Sequence, residues 1–169
     1  MKKLLSIKNL IPTLIIILGV VIDQLTKLLA VTFLKPVDTV PIINDVIHLT
    51  YHTNRGMAFG MLKDARWVFI TVSLITIIAM LAWLYSGRAK GRLYIYAICL
   101  IVSGGVGNMI DRLALGEVID FIDFRLINFA IFNGADSFVC IGAGLLILAL
   151  IRDIIKEAKE KKEKQEDEP

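Results

Sequence analysis

Four long apolar runs constrain this chain more than any other feature. They occupy residues 10–33, 66–85, 93–113 and 135–152 of 169, and each is close to the roughly 20 residues that an α-helix needs to cross a bilayer core. In hydrocarbon every backbone N–H and C=O must find its partner within the structure, so a run of this length and composition folds as a membrane-spanning helix. With 56% of all residues hydrophobic, little chain remains for a separate soluble domain. The fold class is therefore an all-α membrane protein, a four-transmembrane-helix bundle over residues 1–155 with a small extracytoplasmic β segment. Residues 156–169 form a charged tail with almost no apolar residue, expected as a frayed helix or disordered chain.

Charge sets the orientation. Lys2, Lys3 and Lys8 precede the first run, Arg88, Lys90 and Arg92 crowd the second connection, and Arg152, Lys156, Lys159, Lys161, Lys162 and Lys164 follow the last run. The positive-inside rule puts these three regions, and so both termini, in the cytoplasm. The first run continues to Leu34 with Asp23, Gln24 and Lys27 inside it and no clear small-residue cleavage site after it, so it reads as a retained anchor and not a cleaved leader. A net charge of +3, carried mostly at segment ends, suits anionic lipid headgroups and offers no stripe for nucleic acid. Cys99 and Cys140 fall inside apolar runs without ligand spacing, which argues against a disulfide framework or a metal site.

The two connections left outside differ from those inside. In the longer, residues 35–65, Ile47, Leu49 and Tyr51 alternate with His48, Thr50 and His52, the pattern of a strand or hairpin at the membrane surface. In the shorter, residues 114–134, the stretch Val118-Ile119-Asp120-Phe121-Ile122-Asp123-Phe124 reads as a loop apolar enough to dip into the interface.

Ionisable residues at membrane depth are costly and each needs a partner or a task. Asp23 and Lys27 are one helical turn apart and can pair. Asn108, Asp111 and Arg112 share a helix face just after the small-residue run Ser103-Gly104-Gly105-Val106-Gly107, which admits a neighbouring helix at close range. Asp120 and Asp136 both lie at the outer boundary, and the loop between them can fold back to join them. Two adjacent carboxylates cannot both ionise easily and share a proton, so one can act as base on water while the other donates to a scissile carbonyl, with no metal and no cofactor. Each also has a structural reading. Asn133 can cap the fourth helix with Asp136 as a favourable first-turn acid, and Asp120 can be a solvated loop carboxylate.

Five strings favour the chemical reading. Asp23-Gln24-Leu25-Thr26-Lys27 resembles a DQxxK element, Asn54-Arg55-Gly56-Met57-Ala58-Phe59 an NxGAAF element and Gly107-Asn108-Met109-Ile110-Asp111-Arg112 a GNxxDR element. Gly116-Glu117-Val118-Ile119-Asp120-Phe121 is similar to GxVVDF, and Phe132-Asn133-Gly134-Ala135-Asp136 to FNxAD. In this order they resemble the lipoprotein signal peptidase (signal peptidase II) family. The resemblance implies a membrane aspartic endopeptidase of the bacterial cell membrane that cuts diacylglyceryl-modified prolipoproteins just before the lipidated cysteine, at the extracytoplasmic face, and that binds globomycin-type inhibitors in the same site. It implies Asp120 and Asp136 as the catalytic pair, and Asn54, Gly56, Asn108, Arg112, Asn133, Asp23 and Lys27 as residues that bind substrate or support the site. Met57, Ile119 and Ala130 depart from the family's usual alanine, valine and proline.

Two other classes compete. A small transporter or channel would relay protons through Asp111, Arg112, Asp120 and Asp136, but its acidic residues should lie near mid-membrane within inverted repeats. A non-catalytic assembly protein would use the glycine run for helix packing and leaves Asp120 and Asp136 unexplained.

Overall fold

A computed structural model of the chain describes residues 7–56 and 66–166. Met57, Ala58 and Phe59 of the second string, and Lys2 and Lys3 before the first run, lie outside the described residues. Four helices among the described residues are long and apolar enough to cross a bilayer. They are α1 (Ile7–Leu29), α2 (Arg66–Tyr85), α3 (Arg92–Ala114) and α4 (Gly134–Glu166), within a few residues of the runs read from the sequence except at the end of α4, which runs on past residue 152. Between them lie β1 (Thr39–Ile43), β2 (Ile47–Asn54) and β3 (Val118–Phe124), which form one antiparallel sheet in the order β1-β2-β3.

The central helix is α3, packed against α1, α2 and α4, and it carries the largest set of buried residues. The small residues of its sequence explain the close approach. A Cβ at Gly104 would collide with the Ala135 backbone oxygen of α4, and one at Gly107 with the Asp23 carboxylate of α1. At Gly142 an added Cβ would meet Ala97 O at 2.8 Å, so α4 closes on α3 lower down as well. Lipid offers no hydrophobic drive for helix association, and close packing of small residues supplies it instead.

Of two segments left open by the sequence, one takes one of its two expected forms and the other differs from expectation. Residues 156–166 continue α4 as helix, because Ala, Glu and Lys are good helix formers and pairs such as Lys156 and Glu160, 3.7 Å apart, support the exposed turns. Residues 118–124 form a strand, not a loop. Period-2 alternation is absent there because parts of both faces are covered. Val118, Ile119, Asp120 and Asp123 are all buried, and a strand enclosed on both faces loses the apolar and polar alternation.

The alternation in β2 is also interrupted. Leu49 pairs with Ile122 but His52 pairs with Asp120, so three residues of β2 advance against two of β3. A bulge of this kind moves every later side chain to the opposite face. Without it Asn54 and Asp120 would point to opposite sides of the sheet. With it they share a face, and His52 becomes exposed while His48 is buried. The end of α1 is irregular too, passing into a π-helical turn over Ala30–Leu34 that sets Ala30 and Leu34 against Ile119 of β3. The sheet is thereby docked on the end of the bundle where α1 and α3 finish and α4 begins.

Candidate active site

Asp120 and Asp136 meet at that end. Asp120 projects from the middle of β3 and is 1% exposed. Asp136 lies in the first turn of α4 and is partly exposed. Asn133 joins them: its Nδ2 donates to Asp120 Oδ1 at 2.6 Å, while its Oδ1 accepts the Asp136 backbone N–H at 3.0 Å. In return Asp136 Oδ2 accepts the Asn133 backbone N–H at 3.2 Å. This reciprocal pair caps α4, so the structural reading of Asp136 is correct and does not compete with a chemical one. The cap uses Oδ2, and Oδ1 faces Asn108, whose Nδ2 donates to it at 2.7 Å.

Three asparagines thus present N–H donors to the two carboxylates, and the orientation of each amide has a cause. Asn54 Oδ1 accepts the Gly56 backbone N–H at 2.9 Å, which turns its Nδ2 toward Asp120 Oδ2 at 3.2 Å. Asn108 Oδ1 accepts from Lys27 Nζ at 2.9 Å and from Asn133 Nδ2 at 3.1 Å, which leaves its Nδ2 for Asp136. Asn133 is oriented by the Asp136 N–H. In each case a group that can only donate claims the amide oxygen, so the amide nitrogen must face a carboxylate.

Beneath this layer lies a buried charge cluster. Lys27 Nζ is 2.9 Å from Asp23 Oδ2 and 2.8 Å from Asp111 Oδ2, and all three residues are at most 3% exposed. Backbone and amide donors complete the cluster. Asp23 Oδ1 accepts the Ala135 N–H at 2.9 Å, Asp111 Oδ2 the Ile119 N–H at 3.2 Å and Asp111 Oδ1 Gln24 Nε2 at 3.0 Å. The cluster therefore ties α1 to the first turn of α4, and α3 to the start of β3 beside Asp120. Removing one partner of a buried ion pair costs about 3–5 kcal/mol, because the other charge is left uncompensated.

Arg112 stands at the edge of the site. Its guanidinium stacks on Phe69, 5.0 Å from the ring centroid, and Nη1 bonds to Asn108 O at 3.4 Å. Asp136, Asp120 and Asp111 all lie within its electrostatic reach.

The electrostatics distinguish Asp120 from its neighbour on the strand. Burial first, and then the charge of Asp136, push the Asp120 carboxyl up to about 7 against the amides of Asn54 and Asn133 and the charge of Lys27. Asp123 faces the other side of β3. Burial works against its ionisation too, but Arg125 Nε and Thr50 Oγ1, each 2.8 Å away, hold it below the usual carboxylate range.

All nine residues named from the sequence lie in one network. Asp111 and Gln24 belong to it as well and were not among those nine. Both stand inside the strings DQxxK and GNxxDR, and Asp111 is also signalled as a carboxylate within a membrane-spanning helix, which needs a partner.

Comparison with known proteins places the chain in a family. The sequence model of signal peptidase (SPase) II matches residues 15–152. A lipoprotein signal peptidase of Halalkalibacterium halodurans is 39% identical over 144 residues, covering 84% of this chain and 92% of that protein. One of Clostridioides difficile is 46% identical over 140 residues, covering 82% and 93%. A solved bacterial membrane enzyme, determined by the in meso method at 2.3 Å, superposes with a TM-score of 0.78 at 36% identity, covering 85% of this chain and 88% of its own. With four membrane-crossing helices, the five strings in order and matches over most of its length, this chain belongs to the signal peptidase II family, the lipoprotein signal peptidases of bacterial membranes.

Proposed function

We propose that the chain is a membrane-embedded aspartic endopeptidase in which Asp120 and Asp136 share one proton, and that it cuts diacylglyceryl-modified prolipoproteins just before the lipidated cysteine. The observation that carries this reading is Asn133, one residue that reaches both carboxylates, donating from its side-chain amide to Asp120 and from its backbone N–H to Asp136. Asp136, the more accessible of the two, is the ionised base; Asp120, buried in the strand, retains the proton.

Asp136 takes a proton from a water molecule as the hydroxide adds to the scissile carbonyl carbon, and Asp120 gives its proton to the carbonyl oxygen. When the tetrahedral species collapses, the C–N bond breaks. The proton on Asp136 passes to the leaving amine of the cysteine, and the new carboxyl returns a proton to Asp120. The cycle closes without a metal or cofactor, and Arg112 at the rim is placed to hold a substrate backbone carbonyl.

The location suits a lipidated substrate. The cysteine's acyl chains stay in the outer leaflet, so the scissile bond lies near the membrane surface, where the sheet covers the bundle. Both termini are then cytoplasmic, as the basic residues at 88–92 and beyond 152 require. A globomycin-type inhibitor competes with substrate for the same donors.

The test is incubation of the purified protein in detergent with a diacylglyceryl-modified prolipoprotein, with the products weighed. Two products are expected, one beginning with the lipidated cysteine, and the unlipidated precursor should remain intact. EDTA should leave the rate unchanged. Absence of any cleavage would overturn the reading, and loss of activity in EDTA that one divalent ion restores would make the aspartates ligands instead of a dyad.

A further inference from the structure

Lys27 makes one bond that its charge does not require. Its ammonium has three N–H groups, and two of them satisfy Asp23 and Asp111. The third goes to a neutral amide, Asn108 Oδ1, at 2.9 Å. An ammonium can only donate, so this bond forbids the flipped orientation in which Asn108 would turn its carbonyl toward Asp136 and accept a proton from it. With the flip excluded, Asn108 Nδ2 must donate to Asp136 Oδ1, as it does at 2.7 Å.

We propose that Lys27 is a positioning residue for the dyad: by locking the Asn108 amide as a donor toward Asp136, it keeps Asp136 the proton-accepting member of the pair and leaves the shared proton to Asp120. The proposal rests on the dyad reading given above. The bond from Asn133 Nδ2 to Asn108 Oδ1 reinforces the same orientation. Other charged groups around Asp136 do not take this place. Asp120 faces it from β3, Asp111 on α3 pairs with Lys27, and Asp23 holds the Ala135 N–H on the preceding residue. Arg112 donates to the Asn108 backbone oxygen. Among the described residues the side-chain donors to Asp120 are the neutral amides of Asn54 and Asn133.

The test compares pH profiles of kcat/KM on a diacylglyceryl-modified prolipoprotein. Asp23→Asn with Lys27→Met removes one charge of each sign, so the cluster keeps its net charge while Asn108 loses the ammonium donor. The acid limb of the profile, which belongs to the dyad as a unit, should move toward neutral pH by about one unit, with about tenfold lower kcat/KM on that limb and KM within about twofold. Asn108→Leu leaves Lys27 with both carboxylates and should move the limb by a similar amount. Combining the changes should move it little further, because they interrupt one link. Additive shifts, or an unmoved limb in the double variant, would overturn the proposal. If the double variant does not insert, Asn108→Leu decides, and an unmoved limb there is equally fatal. An active Asp136→Asn would instead sink the dyad reading itself. An inactive Asp136→Asn with an unmoved limb in the Lys27 variant would sink only the role of Lys27.

Discussion

Replacing either Asp120 or Asp136 by asparagine should lower turnover of a lipidated prolipoprotein by about three orders of magnitude while the protein still folds. The amide has the size of the carboxyl and can accept at one atom, so packing is kept, but the base and the shared proton are lost. At Asp136 the change touches the helix cap as well, since Oδ2 accepts the Asn133 N–H. If capping were its only function, Asp136→Asn would cost about 1 kcal/mol or less and activity would follow the amount of folded protein. If Asp120 were only a strand carboxylate, its replacement would relieve burial and do no harm. Asp123→Asn is the internal control. It removes a carboxylate bound by Arg125 and Thr50 on the opposite face of the same strand, and substantial activity should remain. The double variant Asp120→Asn, Asp136→Asn should be little worse than either single one, because the two act as one unit.

Asn133 should be the most sensitive position outside the pair. It is fully buried, caps α4 and donates to Asp120, so two functions must be separated. Aspartate is as good a cap as asparagine. Asn133→Asp should therefore retain thermal stability, yet it places a carboxylate where a donor stood 2.6 Å from Asp120. Loss of one preorganised donor at a reacting centre costs about a hundredfold or more, and a like charge adds to that. Asn133→Ala should lose activity to a similar degree and also about 1 kcal/mol of stability. A folded Asn133→Asp variant with near-parental kcat would show that the amide serves only as a cap.

Much of this architecture is legible in the order of residues. The place of each helix follows from its apolar run, and all nine candidate residues stand in strings whose spacing matches a family pattern. Where legibility ended, the cause is tertiary. The strand at 118–124 is hidden because a strand covered on both faces does not alternate. The bulge in β2 leaves no mark in Thr50-Tyr51, which read as an unbroken continuation of the alternation, yet it decides that Asn54 reaches Asp120. Asp23 and Lys27 are readable as a pair from their spacing alone. The third member, Asp111, is 84 positions beyond Lys27, and the bond from Lys27 to Asn108 appears only when α1 and α3 are set side by side. The orientation of three amides toward two carboxylates is likewise a property of packing, not of any one string.

The pH dependence of kcat/KM on a diacylglyceryl-modified prolipoprotein tests most directly whether the two carboxylates share a proton. Asp120 holds its proton up to about 7, and it must be protonated while Asp136 is ionised. The rate should therefore rise from acid pH as Asp136 becomes available, then fall as the pH passes through the value for Asp120 and the shared proton is lost. A bell with its alkaline limb near 7 is the result expected. A rate that climbs or stays level from pH 6 to about 9 would contradict it, because a nucleophile or metal-bound hydroxide gains from the loss of a proton that this mechanism needs.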